Sequence, residues 1–299
     1  MSTVKSQLTP SLTLPKADIK RILCVSTLTS ESSKALDYAL LLARSYNAKL
    51  FCFHAVETPL DNYHEQFAEI ENRFTQTIAT YLNPVEPPIL DWEILVEQGD
   101  AANKIVETAI KQNIDIIVML SRRRPLGAAI LGSTAELVCK AAPCSVLVIH
   151  PEETSWTNEE NGRVEISRIL VGCDFSAYSK LALSYAIEFA TTYSSEVDLL
   201  QVLPTDMRNS WSPVLGNPIH QSMNRMEALI EEKENIKFNR FVAEGEPYQE
   251  ILKHAEERSA DLICMGAHGK DSKREYLFGT TTDKILRAAP CPVLISRFY

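Results

Sequence analysis

The chain carries one sequence twice, and this duplication limits the folds that are open to it. An offset of 147 places Arg21-Ile22-Leu23 on Arg168-Ile169-Leu170, and Ala141-Ala142-Pro143-Cys144 on Ala288-Ala289-Pro290-Cys291. Because the offset is nearly constant over most of each half, it indicates a duplicated domain rather than a solenoid of repeats of about 20–50 residues. Each half is long enough, at about 150 residues, to bury a core of its own.

In the second copy, short apolar runs alternate with stretches of helical periodicity. The predicted strands are Arg168–Cys173, Glu196–Leu203, Ile236–Ala243, Ala260–Met265 and Cys291–Ser296. The predicted helices cover 179–191, 221–234, 247–259 and 281–289, and the first copy repeats the plan with strands near 21–26, 49–56, 90–96, 114–119 and 144–149. This alternation predicts an α/β fold of two tandem doubly wound domains, each a five-stranded parallel sheet with helices on both faces.

The last strand of each copy predicts how the two domains meet. Val146–Ile149 and Val293–Ile295 are apolar and final in their sheets, so antiparallel pairing between them would cover two exposed edges. The segment 151–167 is rich in Glu, Asn, Thr and Ser, and we interpret it as a linker between domains 1–150 and 168–299.

Composition argues against several classes of function. A net charge of −9 and a pI near 5.3 disfavour nucleic acid as a partner. The seven cysteines form no C-x-x-C pair and no zinc-like cluster, so they indicate buried thiols in a reducing compartment and no metal site. The first 20 residues contain no secretory h-region, and no apolar run has the roughly 20 residues of a membrane span. We therefore expect a cytoplasmic protein.

Three residues of the second copy are predicted to end strands at one edge of the sheet: Asp174, Val202 and Gly266. Ligands of open α/β sheets bind at this edge, where the strand order reverses. Glycines at 266 and 269 allow a ligand to approach the backbone and allow positive φ. Gly279-Thr280-Thr281 begins a helix, where backbone N–H groups favour an anion. The pattern suits a polyphosphate, with the Asp174 carboxylate accepting hydrogen bonds from a ribose.

These residues resemble the nucleotide-binding members of the universal stress protein family. The chain contains the family's G-x-x-G-x9-G-(S/T) motif from Gly266 to Thr280, together with the aspartate that ends strand one and a match at the end of strand two. The resemblance implies a tandem universal stress protein that responds to stress and binds ATP or another adenine nucleotide, with Mg²⁺ or Mn²⁺ carried by the phosphates. It also implies domain pairing through the last strands and a possible homodimer. The nucleotide contacts it implies are Asp174, Val202, Met265, Gly266, His268, Gly269, Gly279, Thr280 and Thr281.

The first copy departs from this motif. Thr27 replaces the aspartate, Leu120 and Arg123 replace two glycines, and only Gly132-Ser133 is retained. Leu and Arg side chains would fill the phosphate space, so we expect a closed or differently used site and one nucleotide per chain. The arginines at 122–124 leave two other interpretations open: an anion held by guanidinium groups, or a solvated basic turn.

Three functions remain compatible with the sequence. The first is a regulatory module that binds ATP and has no catalytic residues, and the second is a slow ATPase or phosphoryl-transfer enzyme. The third is a structural interaction protein in which the glycines serve only a tight turn and Asp174 only caps a helix. The sequence contains no P-loop, kinase signature or nucleophile elbow, so we expect at most weak ATPase activity and name no catalytic residue.

Overall fold

The computed structural model describes residues 14–29, 33–57, 63–81, 90–121, 132–150, 156, 164–205, 217–230, 235–269 and 279–298. The elements of the first copy are β1 (Arg21–Val25), α1 (Ser33–Tyr46), β2 (Lys49–Val56), α2 (Tyr63–Tyr81), β3 (Trp92–Gln98), α3 (Ala101–Lys111), β4 (Ile116–Leu120), α4 (Ser133–Ala141) and β5 (Ser145–Ile149). Those of the second copy are β6 (Arg168–Gly172), α5 (Ala177–Tyr193), β7 (Glu196–Leu203), α6 (Pro218–Ile230), β8 (Phe238–Glu244), α7 (Pro247–Glu257), β9 (Leu262–Gly266), α8 (Thr280–Ala288) and β10 (Val293–Ser296).

All ten strands form one sheet in the order β3-β2-β1-β4-β5-β10-β9-β6-β7-β8. Strands within each copy pair in parallel, whereas β5 and β10 pair antiparallel with Leu147 opposite Leu294. The predicted fold class and the predicted pairing of the last strands are therefore confirmed. Because the central pair is antiparallel, the carboxyl edges of the two half-sheets face opposite ends of the molecule.

Helices cover both faces of the sheet and bury two apolar clusters. The cluster on one face takes residues from α1, α2, α5 and α6, and the cluster on the other takes residues from α3, α4, α7 and α8. Each cluster contains residues of both copies, so the two halves share their cores instead of folding around separate ones.

The boundaries of several elements differ from the prediction by one to three residues. The helix expected from residue 221 begins at Pro218, because proline is favoured in the first turn of a helix. The fourth strand of the second copy extends through Gly266, and the following helix begins at Thr280. Gly266 is thus part of a strand, not of the loop after it.

One aspartate in each copy holds the start of the first strand. Asp115 Oδ2 accepts hydrogen bonds from the backbone N–H groups of Lys20 and Arg21, both at 2.8 Å. Asp261 Oδ2 accepts the equivalent bonds from Ser167 and Arg168, at 2.7 and 2.9 Å. The duplication therefore extends to side-chain hydrogen bonds as well as to the order of the elements.

The segment 151–167 contributes to the core, which sequence analysis did not anticipate. Trp156 is 3% exposed, and its ring packs edge-on against Tyr38 of the first copy, with centroids 4.6 Å apart. Its Nε1–H donates to the backbone oxygen of Asp261 in the second copy, at 2.9 Å. Ile166 is buried in the same cluster. Trp156 therefore contacts both halves, in addition to lying in the segment that connects them along the chain.

The cysteines lie in the core as free thiols, as their apolar surroundings predict. All seven are buried and unbonded. Burial raises the pKa of the Cys52, Cys139 and Cys144 thiols to about 12, so these groups remain protonated and unreactive at neutral pH. Within the described ranges, none of the helices is long and apolar enough to cross a membrane.

Candidate nucleotide-binding site

The strand order of the second copy reverses between β6 and β9. From β6 the chain runs outward through β7 and β8, and then returns to β9 and β10 on the other side of β6. Asp174 follows β6 and Gly266 ends β9, so the two residues flank the crevice at the carboxyl edge of this pair. Open α/β sheets bind ligands in such a crevice.

Asp174 and the helix cap are separate residues in the structure. Ser176 caps α5, and its Oγ accepts a hydrogen bond from Ser179 N at 3.1 Å. Asp174 Oδ1 accepts from Ser176 N at 2.9 Å. A Cβ atom built on Gly269 would lie 3.1 Å from Asp174 Oδ2. The hydroxyl thus has the capping role, and the second carboxylate oxygen lies beside the Gly269 backbone.

Gly266 and Gly269 do not use the positive φ that glycine allows. In the described part of the chain, the glycines with positive φ are Gly99 and Gly245. A Cβ atom on Gly266 would lie 2.7 Å from Tyr178 Cβ and 3.0 Å from the Tyr178 carbonyl carbon. Glycine is required at 266 because α5 packs directly on the end of β9, not because the backbone must turn.

The start of α8 is tied to the end of β9. Gly279 N donates to Ala267 O at 3.1 Å, and Thr282 Oγ1 donates to Gly266 O at 2.9 Å. The sequence pattern does not indicate which threonine makes this contact, although the run of three threonines after Gly279 offers three hydroxyl groups for it. Thr282 was therefore not among the predicted site residues. Hydrogen bonds within the chain therefore hold the two glycine-containing ends of the motif together.

The first turn of α8 presents backbone donors at the same crevice. Gly279 is the N-cap residue, with φ −63° and ψ 135°, and no side chain caps the helix there. Thr280 is exposed and Thr281 is half-buried at the first two helical positions. Helix N-termini of this kind attract anions through their N–H groups and the helix dipole.

Two predicted contact residues have side chains that belong to the core. Met265 is 5% exposed and packs in the cluster that contains α7 and α8. His268 is 4% exposed, and its ring meets Tyr178 edge-on with centroids 5.1 Å apart. At both positions, the groups that remain for a ligand at the crevice are mainly backbone atoms.

Val202 lies one strand further along the same edge. It pairs with Ala243 of β8, and Cys173 N donates to Leu200 O at 2.8 Å. Val202 is therefore two residues beyond the contact between β6 and β7, level with Asp174. The structure brings Asp174, Gly266, Gly269, Gly279 and Thr280 together at the crevice and sets Val202 at its flank.

The first copy retains the helix start and lacks the carboxylate. Gly132 caps α4 with φ −60° and ψ 142°, nearly as Gly279 caps α8. Its N–H donates to Ser121 Oγ at 3.4 Å, and Thr27 Oγ1 lies 3.1 Å from Thr29 Oγ1 where the second copy has Asp174. Leu120 ends β4 in the place of Gly266, whereas the arginines at 122–124 lie outside the described residues.

Arg287 of α8 is engaged between the two halves. Its Nη2 lies 2.8 Å from Asp283 Oδ1 and 3.3 Å from Glu136 Oε2 of α4. The hydrogen bonds that it donates to Asp283 and to Glu136 raise the guanidinium pKa further, so the group stays charged. Arg287 therefore serves the contact between α4 and α8 and does not point to the start of its own helix.

Both halves match one protein family. The model of the universal stress protein family matches residues 18–150 and again residues 165–297. A universal stress protein of Methanocaldococcus jannaschii is 30% identical over 154 residues, covering 44% of this chain and 95% of that protein. One from Mycobacterium tuberculosis is 25% identical over 258 residues, covering 74% of this chain and 83% of that protein.

Solved structures of universal stress proteins share this fold. The crystal structure of a universal stress protein from Archaeoglobus fulgidus superposes with a TM-score of 0.69 at 22% identity, covering 93% of this chain and 98% of that one. A putative universal stress protein from Pseudomonas aeruginosa gives a TM-score of 0.68 at 17% identity. With the family model matched over both halves, the chain belongs to the universal stress protein family, in its tandem form of two domains.

Proposed function

We propose that the C-terminal half binds an adenine nucleotide, ATP, and that the chain acts as a regulatory module of the stress response. The observation that carries this proposal is the crevice between β6 and β9. There, Asp174 Oδ2 lies beside the side-chain-free backbone of Gly269, and the uncapped start of α8 faces the same edge. A carboxylate for a ribose and N–H groups for phosphates are the donor and acceptor types that a nucleotide requires.

In this proposal the phosphates bind the backbone N–H groups of Gly279, Thr280 and Thr281 and the threonine hydroxyls. The ribose hydroxyls donate to Asp174, and the adenine lies against the backbone of Val202. The segment Met265–Gly269 lines the crevice with backbone atoms, which fits the burial of the Met265 and His268 side chains. The N-terminal half does not bind the nucleotide in this way, because Thr27 offers no carboxylate and Leu120 places a side chain at the end of β4.

A divalent ion, Mg²⁺ or Mn²⁺, would be carried by the phosphates. Within the described residues, no group of three or more His, Cys, Asp or Glu side chains is placed to hold a metal ion. Mg²⁺ in nucleotide sites commonly keeps several waters and binds through one or two protein groups plus phosphate oxygens. The Thr280 hydroxyl at this crevice suits such a partial role, since Asp174 is assigned to the ribose.

The site is suited to binding rather than to rapid turnover. Backbone amides around a phosphate chain stabilise the ground state and the transition state alike, which tightens binding without accelerating the reaction. Arg287, the arginine of α8, is already bound to Asp283 and Glu136. Rapid phosphoryl transfer needs a cation at the γ-phosphate and a positioned base. We therefore expect hydrolysis far slower than the roughly 1–100 per second of kinases.

Two measurements test this function. Heat denaturation of the purified chain, followed by chromatography and mass spectrometry of the supernatant, is expected to release adenine nucleotide from the wild type and none from Gly269→Val. Steady-state phosphate release then separates a binding module from an enzyme. Release at about one per second or faster that is lost in His268→Ala would overturn the binding-module proposal.

A further inference from the structure

A groove lies along the seam between the two halves, on the face of the sheet that carries α3, α4, α7 and α8. Its volume is about 690 Å³, within the roughly 300–1,000 Å³ of ligand-binding clefts. One wall is formed by α3 and α4 of the first copy, and the other by residues of the second copy near β10. The lining residues are Ala102, Asn103, Val106, Glu107, Leu137, Lys140, Ala141, Ala142, Tyr178, His268, Arg297 and Phe298.

The groove presents apolar side chains to solvent. Among the described residues, the exposed large hydrophobic side chains are Ile110, Leu137 and Phe298, at 50%, 51% and 41%. Leu137 and Phe298 line the groove, and Ile110 lies one helical turn beyond the lining residue Val106, on the same face of α3. Exposed apolar side chains grouped in this way mark interaction sites more often than isolated ones do.

The second copy shows what the same helix face looks like without these apolar groups. Lys284 stands in the place of Leu137, and its Nζ lies 4.1 Å from the centre of the Tyr248 ring of α7. Glu256 stands in the place of Ile110. The fold therefore tolerates charged residues at both positions, so packing within the chain does not account for the apolar residues of the first copy.

Cations outnumber carboxylates in the lining of the groove, although the chain carries a net charge of −9. Lys140 and Arg297 line it, against the single lining carboxylate of Glu107. Glu107 is paired with Lys104 Nζ at 2.7 Å and Lys140 Nζ with Glu136 Oε1 at 2.5 Å, so Arg297 is the lining cation that no carboxylate of the described residues pairs with. Arg297 Nη1 donates to Lys140 O at 2.7 Å and to Ala142 O at 3.3 Å, so it is fixed at the C-terminus of α4. Rings pack along the opposite wall, where Tyr178 and Phe298 have centroids 5.4 Å apart.

We propose that this groove docks a short segment of a partner protein that combines apolar side chains with carboxylates. The apolar side chains lie against Leu137, Val106 and Phe298, and the carboxylates lie towards Arg297. The charge of Arg297, which no carboxylate of the described residues balances, selects an acidic segment over a basic one, because complementary charge favours the encounter and like charge opposes it. Neither nucleotide nor turnover is needed for this contact, although His268 lines the groove and also belongs to the segment Met265–Gly269 at the nucleotide crevice.

Selection from a random peptide library displayed on phage, against the full-length immobilised chain, tests the proposal. We expect the selected peptides to be enriched in Leu, Ile or Phe together with Asp or Glu. Fluorescence anisotropy with a labelled synthetic copy of one such peptide then gives its dissociation constant. Leu137→Gln, which removes the apolar group without adding charge, is expected to weaken binding at least tenfold and to leave the melting temperature unchanged.

A matched pair of variants controls for charge and for folding. Ala141 and Ala288 are the exposed last residues of α4 and α8, and only Ala141 lines the groove. Ala141→Glu should weaken the peptide at least tenfold, and Ala288→Glu should change its affinity less than twofold. Three results would overturn the proposal: equal binding by wild type and Leu137→Gln, selection of basic peptides or of none, and self-association of the chain that Leu137→Gln abolishes.

Discussion

Asp174 Oδ2 lies 3.1 Å from the position that a Cβ atom on Gly269 would occupy. The two residues come from different strand ends, and the fold brings them together at the crevice where the strand order reverses. The first copy has Thr27 and Arg123 at the matching sequence positions. The difference between the two halves therefore concerns one carboxylate and the free backbone beside it.

Replacing Gly269 by Val is expected to abolish most nucleotide binding. The branched side chain would occupy the space beside Asp174 and push the carboxylate away from a ribose. We expect a loss of affinity of about 100-fold, or about 2.7 kcal/mol, in isothermal titration calorimetry with ATP. Gly132→Ala is the control, since a Cβ atom there meets nothing within 4 Å and lies in the other half. Wild-type affinity in Gly269→Val would show that the site has been misplaced.

Gly266→Ala is expected mainly to lower the free energy of unfolding. Its Cβ would overlap Tyr178 Cβ at 2.7 Å, and this atom belongs to the rigid base of the side chain. Overpacking of this kind costs about 1–3 kcal/mol in the free energy of unfolding, which urea denaturation measures. Gly269→Ala, where the near atom is a carboxylate oxygen, should cost less than about 1 kcal/mol. Equal stability of the two variants would contradict the packing role of Gly266.

Asp198 is expected to make the C-terminal half sensitive to acid. It is fully buried, and burial alone would raise its pKa. Hydrogen bonds from His254, Arg258 and Asn239 outweigh this effect and hold the pKa well below its ordinary value. The unfolded chain then takes up the proton first as pH falls through about 4. The stability that the ionised group contributes is complete above that pH and is lost below it.

Asp198→Asn isolates this contribution. The variant leaves Arg258 Nε, now 3.0 Å from Asp198 Oδ2, without its anion and should cost about 3 kcal/mol at neutral pH. The difference between wild type and variant should shrink as pH falls below about 4, because the unfolded wild type takes up a proton at Asp198 there while the folded chain keeps the carboxylate ionised. Urea denaturation at several pH values measures it. A difference that is constant with pH would contradict the assignment.

Trp156 is expected to couple the unfolding of the two halves. Its ring packs on Tyr38 of the first copy, and its N–H binds Asp261 of the second. Trp156→Ala should cost about 3–5 kcal/mol, as large-to-small core substitutions do. Trp156→Phe, which retains apolar volume and loses the hydrogen bond, should cost less. Circular dichroism is expected to show one cooperative urea transition in the wild type, whereas two separate transitions would mean that the halves fold independently.

The fold could be predicted because it depends on patterns that repeat. Apolar runs such as 169–172 indicate strands covered on both faces, and two copies of the pattern give two half-sheets. The pairing of β5 with β10 followed from two apolar edges that would otherwise be exposed. These inferences use only local periodicity and the need to cover strand edges, so they do not depend on side-chain detail.

The parts that could not be predicted depend on contacts between distant residues. Gly266 is required by Tyr178 of another helix, and nothing in the local sequence indicates that approach. Trp156 lies in a polar segment, so a hydropathy pattern does not predict that its side chain is buried between the halves. The Thr282 hydrogen bond to Gly266 O depends on the exact start of α8, and helix starts are uncertain by one or two residues.

Isothermal titration calorimetry of the wild-type chain with ATP and Mg²⁺ measures how many nucleotides each chain binds. We expect one equivalent of ATP per chain, and we expect Asp174→Thr, which copies Thr27 of the first half, to weaken this binding. Two equivalents of equal affinity, or a single equivalent that Asp174→Thr leaves unchanged, would contradict the assignment of the nucleotide to the C-terminal half.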